Sequence, residues 1–106
     1  MTHLGKAYTP VHPGEILKDE LAYRKISQKK FAEIIGVSYP MLNEILNCKR
    51  PVTTGIAMLV EAALGIKAYI LVNIQTDYDL DTTAVDNKIK MRMQKIRTLS
   101  ASLALG

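Results

Sequence analysis

The chain has 106 residues, of which 48% are hydrophobic, and a formal net charge of +4. Its length suits one domain with a single modest core, and the hydrophobic fraction excludes a disordered chain. No apolar run is long enough to span a bilayer, the N-terminus has no signal-peptide pattern, and the single cysteine, Cys48, excludes an internal disulfide, so we expect a cytoplasmic protein.

The first predicted helix follows a loop or loose tail over residues 1–11. Pro13 suits the first helical position, and Glu15 is favourable beside the positive N-terminus of a helix. His12 is expected to form a hydrogen bond at the helix start rather than to bind a ligand. The core stripe of this helix is predicted to consist of Ile16, Leu17, Leu21 and Ala22.

Two short helices joined by a tight turn are predicted next, over residues 27–47. Ser27 and Ser38 are good N-caps, because a serine hydroxyl accepts a hydrogen bond from a first-turn N–H. Gly36 suits the left-handed conformation that ends a helix. Apolar residues line one side of each helix, namely Phe31, Ala32, Ile34 and Ile35 in the first and Leu42, Ile45 and Leu46 in the second. The pattern predicts a helix-turn-helix, and the alternative is an ordinary helical hairpin.

The second of these helices has the character of a DNA recognition helix, whose N-terminal residues enter the major groove. The side chains predicted to meet base edges are Ser38, Tyr39, Pro40, Asn43 and Glu44. Pro40 offers only apolar contact, for example to a thymine methyl group, whereas Asn43 suits adenine. Two alternatives stay open for Glu44: it accepts from a cytosine amino group, or it turns back to Lys49 or Lys30.

Phosphate contacts are predicted on both sides of the recognition helix. Lys29 lies in a first helical turn, where the macrodipole disfavours cations, and DNA phosphate would compensate that cost. Lys49 and Arg50 directly follow the recognition helix. The full predicted set is Gln28, Lys29, Lys49, Arg50 and Thr54.

Three further helices are predicted. A fourth is capped by Thr53 or Thr54 and ended by Gly65, and a fifth covers about residues 67–76. The acidic stretch 77–81 then interrupts the helical pattern; its aspartates alternate as in calcium loops, but the glycine and the bidentate glutamate of such loops are missing, so no metal is predicted. A last helix is predicted over about residues 83–100.

The fifth helix is apolar nearly all round, which predicts burial against a second copy of the chain. The last helix has apolar residues at near-heptad spacing. The predicted two-fold interface therefore consists of Tyr69, Ile70, Ile74, Ile89, Met93 and Ile96. Residues 88–106 contain five Lys/Arg and no Asp/Glu, which leaves open a solvated face or a phosphate-contacting surface.

Four segments carry a resemblance to a known family: HPGEIL (12–17), SQKKFAEIIGVS (27–38), LNEILNCKRPVT (42–53) and NIQTDYDL (73–80). Together they are similar to the HigA/VapI branch of the lambda-repressor-like (XRE-type) helix-turn-helix family. The resemblance implies an all-α fold. A five-helix DNA-binding domain would cover residues 1–81, with the helix-turn-helix at about 27–47, and an additional C-terminal helix would lie in residues 82–106.

The resemblance also implies a function. Such proteins are antitoxins of bacterial HigBA-type operons: they form homodimers, bind a double-stranded DNA operator, repress their own promoter and neutralise a RelE-like mRNA interferase. On this interpretation the protein is cytoplasmic, and associated with the nucleoid when bound. The alternatives are a solitary or phage-like regulator without a toxin and a protein-interaction module that only holds a toxin.

The chain departs from the family pattern at three places. Tyr39 and Pro40 occupy the start of the recognition helix, where Arg or Gln is frequent. Cys48 replaces a frequent glycine, so Asn47 is predicted to take the left-handed conformation. The usual tryptophan of the fifth helix is absent.

Enzymatic chemistry is not predicted. His3 and His12 are isolated in sequence, no Cys/His set suits zinc, and the two serines of the helix-turn-helix are explained as caps. Cys48 has no second thiol to resolve an oxidised form, which favours an inert residue over a redox switch. No cofactor is expected.

Overall fold

The structure is a computed structural model that describes residues 9–105; His3 and most of the predicted N-terminal tail lie outside the described residues. The described chain is all-helical, as predicted. Its helices are α1 (Pro13–Tyr23), α2 (Gln28–Ile35), α3 (Tyr39–Leu46), α4 (Thr54–Leu64), α5 (Ala68–Ala84) and α6 (Asn87–Leu105).

Side chains cap the first four helices at their N-termini. The Ser27 hydroxyl accepts from Lys30 N at 3.0 Å, and the Ser38 hydroxyl accepts from Met41 N at 3.2 Å. Thr53 rather than Thr54 caps α4, and His12 Nδ1 caps α1 by accepting from Gly14 N at 2.8 Å. The predicted caps and the predicted place of His12 are confirmed.

The hydrophobic core lies between α1, α2, α3, α4 and the first half of α5. Phe31, Leu17 and Leu42 are fully buried in it. The predicted core stripes were wrong at two positions, since Ala22 and Ile34 are exposed. Each lies beside the buried stripe of its helix, one or three residues from a buried member, and is therefore rotated towards solvent.

Gly14 permits a close approach between α1 and α3. A Cβ atom at this position would lie far inside van der Waals contact with the Ile45 carbonyl oxygen. The first turn of α1 therefore packs directly on the backbone of α3, which explains the glycine of the HPGEIL segment.

The boundaries of the last two helices differ from the prediction. α5 does not end near residue 76 but continues to Ala84, because its aspartates take exposed or partly exposed positions while Leu71 and Gln75 are buried and Tyr78 is half-buried. α6 begins at Asn87 rather than near residue 83. Asp86 Oδ1 accepts from Lys88 N and Ile89 N at 2.8 and 3.2 Å and so caps the new helix.

α6 contributes nothing to the core. All of its side chains that the structure describes, over residues 87–103, are exposed. Its apolar stripe includes Ile89, Met93 and Ile96, which are 37%, 42% and 55% exposed. Among the helices of residues 9–105, none has the length and hydropathy required to cross a membrane.

Candidate nucleic-acid interface

α3 is held on the core by one face and exposes the other. Leu42, Ile45 and Leu46 are buried, with Leu42 and Ile45 at 0% exposure. The predicted base-reading residues lie on the remaining surface: Ser38, Tyr39 and Pro40 are exposed, and Asn43 and Glu44 are half-buried. The arrangement presents the N-terminal end of a rigidly packed helix to solvent.

A side-chain hydrogen bond links α2 to the outer face of α3. Asn43 Nδ2 donates to Gln28 Oε1 at 3.1 Å, although the two residues are fifteen positions apart in sequence. This bond leaves the second Nδ2 hydrogen and the Oδ1 of Asn43 for a base edge, and it leaves the Gln28 Nε2 donors for a phosphate. The structure therefore brings together one residue predicted to read a base and one predicted to contact the backbone.

Asn47 extends this network towards α1. Its Nδ2 donates to the Asn43 carbonyl oxygen at 2.9 Å, and its Oδ1 accepts from Lys18 Nζ at 3.2 Å. Sequence reasoning missed Lys18, because nothing in the local pattern relates a residue of α1 to the end of α3.

Glu44 turns back from the outer face, but onto Arg50 rather than onto Lys49 or Lys30. Its Oε1 accepts from Arg50 Nε at 2.9 Å and from Arg50 Nη2 at 2.8 Å, with both side chains 47% exposed. Lys30 is instead paired with Glu33, with 3.9 Å between Lys30 Nζ and Glu33 Oε1. The chain reverses after α3, which places Arg50 alongside Glu44 and moderates its charge in the absence of DNA.

Cys48 adopts the left-handed conformation that had been predicted for Asn47. The φ angles are +64° at Cys48 and −98° at Asn47, so that prediction was wrong. Cys48 N donates to the Ile45 carbonyl and Lys49 N donates to the Glu44 carbonyl, at 3.1 and 2.8 Å, which is the Schellman pattern of a helix end. In this pattern the residue that must be left-handed is the one after the cap, and that residue is Cys48.

The Cys48 thiol lies in a partly buried position near Glu15. Burial and the Glu15 carboxylate raise the pKa of this thiol, which lowers its reactive thiolate fraction.

Residues 47–53 join α3 to α4, and α5 holds this segment at Val52. Gln75 is 7% exposed; its Oε1 accepts from Val52 N at 2.8 Å, and its Nε2 donates to Asp79 Oδ1 at 2.9 Å. Beside this pair the His12 ring meets Tyr78 edge-on, with ring centroids 4.8 Å apart. We call these five residues the junction: His12, Val52, Gln75, Tyr78 and Asp79.

The junction unites three of the segments that carried the family resemblance. His12 belongs to HPGEIL, Val52 follows Lys49 and Arg50 in the third segment, and Gln75 belongs to NIQTDYDL. A cleft of about 230 Å³ lies at the same place and is also lined by Lys49 and Arg50. Sequence reasoning did not assign Gln75 a role; the signal for it was that segments far apart in the chain shared one resemblance.

The predicted phosphate-contacting residues are distributed around α3. Gln28 and Lys29 open α2, Thr54 opens α4, and Lys49 and Arg50 follow α3. Helix N-termini present backbone N–H groups that suit phosphate oxygens. Apart from Gln28, which is half-buried, all of these residues are exposed.

The predicted dimer-interface residues are exposed, except for one. Tyr69 and Ile70 are 65% and 41% exposed on α5, and the α6 members are exposed as described above. Ile74 is half-buried at a groove of about 250 Å³ that Val11, Ile16 and Tyr78 also line. Within residues 9–105 of a single chain, these apolar side chains are only partly covered.

Comparison with known proteins places this architecture in a family. A model of the helix-turn-helix family matches residues 17–71. Virulence-associated protein I of Dichelobacter nodosus is 35% identical over 86 residues, which cover 79% of this chain and 80% of that protein. This chain belongs to the helix-turn-helix family, in its HigA/VapI-type antitoxin branch.

Solved structures of HigA/VapI-type antitoxins share the fold. The antitoxin HigA of Pseudomonas aeruginosa, solved with the higBA promoter, is 32% identical to this chain, with a TM-score of 0.73. The match covers 78% of this chain and 91% of that chain. An addiction module antidote protein of the HigA family from Coxiella burnetii is 28% identical to this chain, with a TM-score of 0.73. The match covers 83% of this chain and 95% of that chain. The family match over 17–71 begins and ends with the first and last residues of the hydrophobic core, Leu17 and Leu71.

Proposed function

We propose that this HigA/VapI-type antitoxin is a sequence-specific repressor that binds an operator in the promoter of its own toxin–antitoxin operon. The observation that carries the proposal is the placement of α3, whose buried face fixes it on the core while its N-terminal residues face solvent. The HigA relative solved with its promoter supports the same use of this fold.

Within that function, the outer face of α3 reads bases and its surroundings contact phosphates. Tyr39, Pro40 and Asn43 meet base edges, with Ser38 at the start of the helix and Glu44 at the border. Gln28, Lys29, Lys49, Arg50 and Thr54 contact the backbone and so set the register of α3 in the groove. Arg50 exchanges Glu44 for a phosphate when DNA binds.

The protein acts as a homodimer, because one helix-turn-helix reads too few base pairs to be specific. The exposed apolar side chains of α5 and α6 supply the interface, from Tyr69, Ile70 and Ile74 to Ile89, Met93 and Ile96. Opposite charge supports the pairing of these two helices: α5 carries the aspartates 77, 79 and 81, whereas residues 88–97 of α6 carry five Lys/Arg. A two-fold dimer then matches two half-sites one helical turn apart.

The protein also neutralises a toxin, a RelE-like mRNA interferase encoded in the same operon. The support is membership of the antitoxin branch. Binding and neutralisation are separate activities, so each has its own test.

DNA binding is tested by fluorescence anisotropy with duplex DNA from upstream of the gene and an unrelated duplex of equal length. We expect the upstream duplex to bind about 1,000-fold more tightly or better at physiological salt. Tyr39→Ala with Asn43→Ala should remove this preference, whereas Met58→Ala, an exposed change on α4, should not. Equal affinity of the parent protein for both duplexes would refute the repressor proposal.

Toxin neutralisation is tested by expressing the neighbouring reading frame alone and together with this chain. We expect growth arrest in the first case and growth in the second. Specific DNA binding without any arrest would instead identify a solitary regulator, and rescue without specific DNA binding would identify a module that only holds a toxin.

A further inference from the structure

One buried amide fixes the segment between the recognition helix and α4. Among the described residues, only His12 and Gln75 are both polar and buried. Gln75 comes from α5 and spans 23 positions of sequence to accept from Val52 N. Val52 is itself 2% exposed, so its N–H group has no access to water and needs this partner.

Asp79 determines which way the amide of Gln75 points. A carboxylate only accepts hydrogen bonds, so the Gln75 Nε2 must face Asp79 Oδ1, and the Oε1 must then face Val52 N. The bond to the carboxylate is charge-assisted, and one turn of helix separates the two residues. Asp79 therefore orients Gln75, and Gln75 places Val52.

The anchored segment carries the cations that follow α3. At its beginning, Lys49 N donates to the Glu44 carbonyl at 2.8 Å and so belongs to the end of the helix. At its end, Val52 N is held by Gln75, and Thr53 caps α4. Only Arg50 and Pro51 lie between these two anchors, so the bond at Val52 sets where Arg50 and the Lys49 side chain project.

We propose that Gln75, oriented by Asp79, is a positioning residue for DNA binding that places Lys49 and Arg50 against the phosphates of the operator. The inference rests on the proposed function in one respect, namely that these two cations contact phosphate. Gln75 touches no DNA itself.

The salt dependence of operator binding measures this positioning. The logarithm of the DNA-binding constant falls linearly with the logarithm of the salt concentration, and each phosphate contact adds about 0.9 to the steepness of this slope. Gln75→Met, which keeps the approximate volume and loses both hydrogen bonds, should flatten the slope by about 1 to 2 while the preferred bases stay the same. Gln94→Met on the exposed surface of α6 is the matched control and should leave the slope unchanged.

A double-mutant cycle separates positioning from general damage to the fold. Lys49→Ala with Arg50→Ala should flatten the slope by up to about 2. Adding Gln75→Met to that variant should change the slope no further, because the contacts that Gln75 positions are already gone. A further flattening of the same size would show that Gln75 acts elsewhere and would overturn the inference.

Gln75→Glu is a second variant, which also serves if Gln75→Met does not fold. Its carboxylate still accepts from Val52 N, but it has no donor for Asp79 and repels that carboxylate. The slope should therefore flatten in this variant as well, because Asp79 no longer orients the side chain that holds Val52.

The outcomes distinguish the inference from the function on which it rests. If Lys49→Ala with Arg50→Ala leaves the slope unchanged, the phosphate assignment in the proposed function fails. If that pair flattens the slope but neither Gln75→Met nor Gln75→Glu does, the positioning role of Gln75 is refuted and the phosphate assignment stands.

Discussion

α3 and α6 are both amphipathic helices, but only α3 packs its apolar face on the hydrophobic core. α3 has only eight residues, yet three of them are buried and fix its position on the core. α6 has nineteen residues, more than twice as many, and none of its described side chains is buried. The comparison shows that an apolar stripe does not decide whether a helix joins the core; the decision depends on whether other elements lie within reach to cover it.

The difference has a functional meaning. A helix that reads DNA must be held rigidly, and burial of one face achieves this for α3. A helix whose apolar stripe stays uncovered within its own chain is suited to a partner, and α6 is proposed to meet a second copy. The following predictions run from the largest expected effect to the smallest, and the first three test the two assignments directly.

The largest effect is expected for Ile45→Ala in α3. Ile45 is 0% exposed and packs at the point where α1 approaches α3, so its truncation leaves a cavity. The free energy of unfolding should fall by about 2–5 kcal/mol. Urea denaturation measures it, with the exposed Ile34→Ala as the control, for which a change within about 0.5 kcal/mol is expected. Similar losses for both variants would contradict the described packing of α3.

Asn43→Ala should affect base reading without affecting the core. Its side chain lies on the outer face and forms a hydrogen bond with Gln28. Preference at one position of each half-site should fall by about 1–3 kcal/mol, while nonspecific affinity stays the same. A binding-site selection with parent and variant provides the measurement, and Tyr39→Ala should alter a different position. Identical base preferences in all three proteins would mean that α3 is not the reader.

Ile96→Ala should weaken the dimer and leave the monomer fold intact. Ile96 is 55% exposed in the single chain, so its truncation opens no cavity there. We expect the dimer dissociation constant to rise about tenfold or more, since the apolar contact is lost in both protomers. Sedimentation across a concentration series provides the measurement. Met91→Ala, on the opposite side of α6, is the control, and equal effects of both changes would exclude the proposed stripe as the interface.

Cys48→Gly should raise the stability of the end of α3. A left-handed side-chain residue costs about 1–2 kcal/mol, and glycine removes that cost but loses part of the gain to its greater freedom in the unfolded chain. A net gain of up to about 1 kcal/mol is expected from thermal denaturation. Lys25 is the other side-chain residue in the left-handed region among those described, and Lys25→Gly should give a gain in stability of similar size. Destabilisation by Cys48→Gly would show that packing of the thiol outweighs the backbone strain.

The smallest effect is expected at His12 and depends on pH. Burial lowers the pKa of His12 below its ordinary value of about 6.5, although Asp79 and Glu15 partly oppose this. The unfolded chain therefore binds the proton more readily than the folded one. The contribution of His12 to stability is full above about pH 6.5 and is lost as the pH falls through its lower folded value.

His12→Asn keeps a side chain that can cap α1 but cannot be protonated. The stability of this variant should consequently fall less than that of the parent between about pH 7 and about pH 5. Chemical denaturation at a series of pH values gives the free energy of unfolding of each protein as a function of pH. Parallel curves for the two proteins would show that His12 does not titrate differently on folding.

Features that depend on neighbouring residues could be predicted from the sequence. The caps at Ser27 and Ser38 follow from the hydroxyl and the N–H groups of the first turn, whereas for α4 the sequence offered Thr53 or Thr54 and the structure decided for Thr53. Gly36 and Gly65 end their helices because glycine enters the left-handed region without steric cost. The helix-turn-helix and the family resemblance rest on these same short segments.

Features that depend on distant residues could be seen only in the structure. The acidic stretch continues α5 because its other side packs towards α1, where Tyr78 meets His12. Glu44 pairs with Arg50 because the chain reverses after α3, and Gln75 finds Val52 across 23 positions. Local pattern determines which residues can start, continue or end a helix, since those effects act within one turn. The partners of a buried amide or a charged side chain depend on how the helices pack, and only the tertiary structure decides them.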